Sequence, residues 1–161
     1  MTVEEYNKCV DMYSDNIYRF LLKNTKDSDK AKDIVQDTYE KLWIRVNDVD
    51  FVKVKSYLFT TAYHTFIDMY RREKFRGEMK EVNLYKHTTS EQYSDLNEIL
   101  HKALELLPDI QRSVILLRDY EGYSYEEIAE ITGLNDSHVK VYIFRARMFL
   151  KNYIGTMETV I

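Results

Sequence analysis

The fold of this chain is decided by residues 124–153, which read SYEEIAEITGLNDSHVKVYIFRARMFLKNY. Ser124 and Glu127 have the spacing of a capping box, in which each side chain accepts a backbone N–H at the start of a helix. Gly133 predicts the end of that helix, because glycine takes the left-handed backbone conformation at little cost. A second helix should follow, capped by one of three polar residues. These are Asn135, Asp136 and Ser137.

The second predicted helix has an apolar side and a basic side. Its apolar residues follow helical spacing and should be buried; they are Val139, Ile143, Ala146 and Leu150. The opposite side carries Ser137, His138, Lys140, Arg145, Arg147 and Lys151. Residues 137–157 contain no Asp or Glu, although the chain has a net charge of −4. This is the layout of a DNA-binding helix-turn-helix, whose second helix contacts base edges and phosphates. The alternative is an amphipathic helical hairpin that only packs and leaves its basic face in water.

Composition limits the class of protein. The chain has 161 residues with only four glycines and one proline, which favours helices. Cys9 is the single cysteine, so there is no disulfide framework, and we expect it to be buried. The start of the chain lacks the apolar core of a signal peptide, and no apolar run reaches membrane-spanning length. We therefore expect a cytoplasmic protein with no membrane insertion.

Motifs for catalysis are lacking in the sequence. The four histidines do not have metal-ligand spacing, and there is no Gly-rich phosphate loop and no nucleophile motif. The carboxylates fit helix surfaces and caps. We expect no cofactor, no metal and no enzymatic activity.

The chain divides into two parts. Residues 77–99 lose apolar periodicity and hold two basic and five acidic side chains, which is typical of a polar linker. The sequence therefore predicts an all-α protein with two small helical domains, at 1–76 and 100–161, the second of them the helix-turn-helix.

The first domain should contain three helices, at about 3–23, 27–46 and 55–76, with a polar loop at 47–55. One side of the second helix is charged, and the default interpretation is a solvated face. That side carries Asp33, Gln36, Asp37 and Glu40, with Trp43 beside them. The third helix is rich in aromatic residues, most of which we expect in the core. Its last turns read RREKFR, and cations there suit both the helix dipole and a nucleic-acid backbone.

Several segments together resemble one known family. They are DIVQDTYEKLW at 33–43, VKSYLFTTAYHTFIDMYRREK at 54–74, LPDIQRSVILLRDYEGYSYEEIAEITGL at 107–134 and VKVYIFRAR at 139–147. In this order and separation they are similar to the small bacterial RNA polymerase sigma factors of the extracytoplasmic-function (ECF) group. The resemblance implies a transcription initiation factor that binds core RNA polymerase and directs it to promoters.

The resemblance also implies roles for particular residues. The charged side of the second helix of the first domain would dock on the β′ clamp helices of the polymerase. Its contacts would be Asp33, Gln36, Asp37, Glu40 and Trp43. The loop at 47–55 would hold a flipped base of the −10 element, and the helix after it would meet the −10 strand through His64, Asp68, Arg71 and Arg72. The recognition helix would contact the −35 element through Ser137, His138, Lys140, Val141, Arg145 and Arg147. The linker would pass through the polymerase toward the RNA exit path.

The implied partners are core RNA polymerase, at its β′ clamp helices and β flap, promoter DNA, and an anti-sigma factor. The chain departs from the usual family pattern at His64 and at residues 138–142, HVKVY, where we hypothesise that Val141 contacts a thymine methyl. Two rival functions stay open at this point. One is a stand-alone helix-turn-helix regulator, which would usually dimerise on a palindrome. The other is a helical protein whose basic helix binds a protein partner.

Overall fold

The computed structural model describes residues 1–76 and 95–160, and every regular element in these ranges is helical. The N-terminal module holds α1 (Val3–Thr25), α2 (Ser28–Ile44), a 3₁₀ turn (Phe51–Lys53) and α3 (Val54–Arg76). The C-terminal module holds α4 (Asp95–Leu106), α5 (Asp109–Ile115), a π-helical turn (Leu116–Tyr120), α6 (Tyr125–Thr132) and α7 (Asp136–Val160). The all-α prediction is thus confirmed.

The first two helices begin and end at residues whose side chains explain the boundary. Thr2 and Glu5 form a capping box, in which the Glu5 N–H donates to Thr2 Oγ1 at 3.1 Å and the Thr2 N–H donates to Glu5 Oε1 at 2.9 Å. Helix α1 ends at Thr25, and its C-cap residue, Lys26, takes the left-handed conformation with φ of +58°. Asp27 then caps α2 by accepting the backbone N–H groups of Asp29 and Lys30. A single residue therefore separates the end of α1 from the cap of α2.

The N-terminal module packs its three helices against one another. The aromatic residues Phe59, Tyr63 and Phe66 of α3 are buried, as the sequence predicted for most of them. Cys9 is also fully buried, and its carbonyl oxygen accepts a hydrogen bond from the Tyr39 hydroxyl at 3.0 Å. Its thiol is therefore a packed side chain in the module's interior.

A buried arginine fixes the turn between α4 and α5 in the C-terminal module. Arg112 is 2% exposed and donates hydrogen bonds to the carbonyl oxygens of Leu104 (2.9 Å) and Leu107 (2.8 Å). It also donates to Asp109 Oδ1 at 3.0 Å, so its charge is paired as well as hydrogen-bonded. These bonds fix the turn between α4 and α5, on which α7 packs.

The predicted bounds of the elements hold to within a few residues. Helix α2 ends at Ile44 and not near residue 46, and part of the loop at 47–55 forms the 3₁₀ turn. Helix α4 begins at Asp95, inside the segment predicted as a linker. Most of that segment, 77–94, lies outside the described residues.

Candidate functional site

The turn between α6 and α7 has the geometry that the sequence predicted. The Glu127 N–H donates to Ser124 Oγ at 3.1 Å, and the Ser124 N–H donates to Glu127 Oε1 at 2.8 Å. Gly133 has φ of +82° and donates its N–H to the Ala129 carbonyl at 2.8 Å. Of the three candidate caps, Asn135 caps α7, because its side chain accepts the His138 N–H at 2.8 Å. The helix-turn-helix is therefore held by local hydrogen bonds, three of them from backbone N–H groups to capping side chains.

Helix α7 buries one side and exposes the other. Val139, Ile143 and Ala146 are buried, as predicted. All the residues predicted to contact the −35 element are exposed; they are Ser137, His138, Lys140, Val141, Arg145 and Arg147. Phe144 and Met148 were not predicted as site residues, but they are exposed too and lie one and two turns beyond Val141. Their helical spacing from Val141 was the signal that could have found them.

Two cations lie over the ring of one tyrosine beside the recognition helix. The Arg118 guanidinium lies 4.6 Å from the centre of the Tyr125 ring, and Lys140 Nζ lies 5.9 Å from it. Arg118 also donates to the Tyr123 carbonyl at 2.9 Å, which fixes its position. Such contacts are attractive because the ring face carries negative potential. Tyr125 therefore gathers positive charge at the start of α6, and neither it nor Arg118 was predicted as a site residue.

Arg147 is held by a carboxylate of the same module. Its Nη2 donates to Asp119 Oδ1 at 2.6 Å and its Nε to Asp119 Oδ2 at 3.2 Å, so the pair is bidentate. The hydrogen bond to Asp119 raises the pKa of Arg147. Arg145, two residues earlier, makes no ion pair within the described residues. The two arginines thus differ in how available they are to a phosphate.

The α3 residues predicted to meet the −10 strand lie together on an exposed surface. His64, Asp68, Arg71 and Arg72 are all exposed. Asp68 and Arg71 form an ion pair of 4.0 Å across one helical turn, and both side chains are more than two-thirds exposed. Such a pair is weak in water, so a phosphate can replace Asp68 as the partner of Arg71 at little cost.

The loop before α3 presents an apolar side chain to solvent. Val52, in the 3₁₀ turn, is 91% exposed. Lys55, at the start of α3, points instead toward the C-terminal module, where its Nζ lies 3.7 Å from Glu121 Oε1. The middle of the loop at 47–55 is therefore exposed to solvent, whereas its last residue contacts the C-terminal module.

The predicted polymerase-binding surface is an exposed face of α2 between two grooves. Asp33, Gln36, Asp37, Glu40 and Trp43 are all exposed. Trp43 keeps half of its side chain exposed while its ring meets the Tyr6 ring edge to face at 5.1 Å. A groove of about 560 Å³ is lined by Val3, Tyr6, Asn7, Glu40, Trp43 and Ile44. A second groove of about 430 Å³ is lined by Ser14, Asp15, Tyr18, Lys32, Val35 and Gln36. The predicted polymerase-binding surface thus places carboxylates next to partly apolar grooves.

Within residues 1–76 and 95–160, no group of three or more His, Cys, Asp or Glu side chains is placed to hold a metal ion. None of the described helices is long and apolar enough to cross a membrane.

Comparison with known protein families defines the class of protein. The model of sigma-70 region 2 matches residues 9–76, and the model of sigma-70 region 4 matches residues 97–150. Together the two matches cover most of the helical parts of both modules. The chain therefore belongs to the sigma-70 family of RNA polymerase sigma factors.

Individual relatives narrow the class to one group. The chain is 31% identical over 161 residues to the ECF RNA polymerase sigma factor SigM of Bacillus subtilis (strain 168), covering 94% of each chain. It is 36% identical over 151 residues to the RNA polymerase sigma factor YlaC of the same organism, covering 86% of each. It also matches the structure of RpoE from Bartonella quintana, solved with the anti-sigma factor NepR, with a TM-score of 0.80 and 27% identity. That match covers 95% of this chain and 98% of RpoE.

These matches support an ECF sigma factor, a transcription initiation factor that directs RNA polymerase to promoters. The rival interpretation as a stand-alone helix-turn-helix regulator is not favoured, because region 2 accounts for the N-terminal module as well.

Proposed function

We propose that the chain binds core RNA polymerase through α2 and reads the two promoter elements with α3 and α7. The observation that carries this proposal is the exposure of every residue assigned to these three surfaces, while their neighbours on the same helices are buried. Each surface is thus presented by a helix whose opposite side is fixed in a core.

The polymerase contact uses the exposed face of α2. Asp33, Gln36, Asp37 and Glu40 offer charged and hydrogen-bonding groups to the β′ clamp helices, and Trp43 offers a half-exposed aromatic ring. Tryptophan at the edge of a partly apolar groove is a typical anchor of protein interfaces. The β flap is the second proposed polymerase contact.

The −10 contact uses the loop at 47–55 and the exposed surface of α3. His64, Asp68, Arg71 and Arg72 face the strand, and the loop receives a base flipped out of the duplex. Unstacking a base costs on the order of a few kcal/mol, which the pocket and the backbone contacts offset. Strand opening is therefore driven by capture of bases, and the protein performs no covalent catalysis itself.

The −35 contact uses the N-terminal half of α7. Ser137, His138 and Val141 reach base edges, with Val141 against a thymine methyl. Lys140 and Arg145 neutralise phosphates. Arg147 has a lesser share, since Asp119 competes with phosphate for its guanidinium.

An anti-sigma factor is the further proposed partner. Its support is the likeness to RpoE, a sigma factor crystallised with its anti-sigma factor. Because core polymerase is the proposed partner, we place the protein in the cytoplasm.

Binding to core polymerase tests the proposed function directly. We expect wild-type protein to bind purified bacterial core enzyme, and Gln36→Ala/Glu40→Ala to bind at least tenfold more weakly. The matched control is Asp11→Ala/Asp29→Ala, which removes two exposed carboxylates outside the proposed surface. Equal affinity of both double variants would contradict the assignment of α2.

A further inference from the structure

Helix α3 ends with an aromatic side chain that no part of the described fold covers. Phe75 is 93% exposed, whereas the other phenylalanine and tyrosine side chains of α3 are buried or half-buried. Phe59 and Phe66, for example, lie in the core. A single exposed apolar residue is ordinary on a protein surface. What distinguishes Phe75 is its position on the helix and the charge around it.

Phe75 continues the line of residues proposed to meet the −10 strand. The spacings in the series His64, Asp68, Arg71 and Phe75 are four, three and four residues, which keeps all four within about 60° around the helix axis. All four side chains are exposed. Phe75 lies about 16 Å from His64 along the axis, at about 1.5 Å per residue. This is the length of about five stacked nucleotides, so both residues can contact one DNA strand.

The charge around the ring suits a nucleic-acid backbone. The cations in the same last turns of α3 are exposed; they are Arg71, Arg72 and Lys74. The acidic residue among them, Glu73, is directed to α2, where it pairs with Lys30 at 2.8 Å and keeps only 19% of its side chain exposed. Within residues 71–75 the exposed positive charge is therefore not offset by an exposed carboxylate, and it can attract phosphates.

The direction of the chain indicates which part of the −10 strand lies near Phe75. The loop proposed to hold a flipped −10 base precedes α3, and the module proposed to read the −35 element follows it. Because the −35 element lies upstream of the −10 element, the end of α3 that carries Phe75 faces the upstream side. There the paired DNA gives way to the melted strand, and the first unpaired base loses its stacking partner on one side.

We propose that Phe75 stacks on an unpaired base at the upstream end of the melted −10 strand, while the adjoining phosphates bind the three cations Arg71, Arg72 and Lys74. This inference rests on the proposed function and adds a DNA-contacting residue to it. Stacking on an aromatic ring accepts every base, because every base has a π face. Phe75 therefore stabilises the open strand and contributes little to the choice of promoter sequence.

Removal of single bases from the DNA tests the stacking contact. The probe is a fork made from a promoter active in run-off transcription, with the −10 strand unpaired and one base removed at a time. It is bound by core polymerase carrying either wild-type protein or Phe75→Ala. With wild type, loss of one base at the upstream end should weaken binding about ten-fold. Phe75→Ala should bind the intact fork about ten-fold more weakly, and loss of the same base should then have little further effect.

Further variants separate stacking from apolar contact and from charge. Phe75→Trp should bind the intact fork as tightly as wild type, whereas Phe75→Leu should bind it more weakly, because leucine is apolar but has no π face. Lys74→Ala should reduce the slope of log K against log salt by about one, and Phe75→Ala should leave that slope unchanged. The matched control is Met12→Ala, which removes an apolar side chain, 51% exposed, on α1 outside the proposed surfaces. It should bind the fork like wild type.

Three results would overturn the inference. They are equal affinity of Phe75→Ala and wild type for the intact fork, additive losses for Phe75→Ala at every base removed, or wild-type affinity for Phe75→Leu. In each case the wild-type protein still brings polymerase to the fork, so the proposed function stands. If core polymerase does not bind the wild-type protein, or the complex does not bind the intact fork, the proposed function is rejected and the role of Phe75 with it.

Discussion

The two arginines on the exposed side of α7 differ in their partners, and this difference predicts unequal contributions to DNA binding. Asp119 already holds Arg147, whereas Arg145 makes no ion pair within the described residues. In the polymerase-bound form, Arg145→Ala should reduce the slope of log K against log salt for promoter binding by about one. Arg147→Ala should reduce it by less. Filter binding over a salt series measures both.

The control for that comparison is a variant in which Asp119 no longer holds Arg147. In an Asp119→Asn background, Arg147→Ala should have a larger effect on the salt slope than in the wild type. The pair itself is exposed, so its loss should destabilise the fold by no more than about 1 kcal/mol. Equal slopes for the two arginine variants would contradict the distinction between them.

His101 makes stability depend on pH. Burial lowers the pKa of His101, Lys23 lowers it further, and Glu105 partly opposes them. A group whose pKa is lowered by folding contributes stability that is present above its unfolded pKa, about 6.5, and is lost as pH falls through the folded value. Between about pH 7.5 and about pH 5.5, the free energy of unfolding should therefore fall more for wild type than for His101→Gln. Urea titrations at the two pH values test this. An equal fall in the free energy of unfolding for wild type and His101→Gln would contradict it.

At the scale of elements, the capping box of α6 predicts a local loss of stability. Ser124→Ala leaves the Glu127 N–H without its acceptor and should lower the free energy of unfolding by about 1 kcal/mol. Ser28→Ala changes an exposed serine that follows the cap of α2, and it should have little effect. Chemical denaturation of both variants measures the difference. A loss no larger than that of Ser28→Ala would show that α6 does not depend on its cap.

The elements themselves could largely be predicted from the sequence. Ser124, Glu127 and Gly133 mark the ends of α6 through local hydrogen bonds and backbone conformation, and these do not depend on distant residues. The apolar spacing of α7 identified its buried side for the same reason. Helix α4 was partly missed, since its first residues fall in a polar, acidic segment that resembles a linker.

Contacts between distant residues could not be predicted in the same way. Asn24 lies just past the predicted end of the first helix, where nothing in the sequence marks it as buried, yet it packs against Ser113, 89 residues away. Arg118 lies in the π-helical turn before α6, and the sequence pattern shows neither that turn nor the contact of Arg118 with Tyr125. Periodicity reveals which side of a helix is apolar, but it does not reveal which helix covers that side. The roles assigned to the exposed residues of α2, α3 and α7 stay predictions.

At the scale of the whole molecule, function requires three surfaces on one chain to act together. The proposed polymerase contact lies on α2 and the proposed promoter contacts lie on α3 and α7, so damage to either kind of surface should reduce initiation. Such damage should act without unfolding the protein, because the residues concerned are exposed. The activity of a stand-alone DNA-binding protein would fall with substitutions on α7 and would not change with substitutions on α2.

Run-off transcription with purified bacterial core polymerase on promoter-bearing genomic fragments tests this most directly. We predict transcripts from discrete start sites with wild-type protein, and strong reductions for both Gln36→Ala/Glu40→Ala and Lys140→Ala/Arg145→Ala. The Asp11→Ala/Asp29→Ala control should transcribe like the wild type. Absence of any transcript, together with tight DNA binding by the protein alone, would contradict the assignment as an initiation factor.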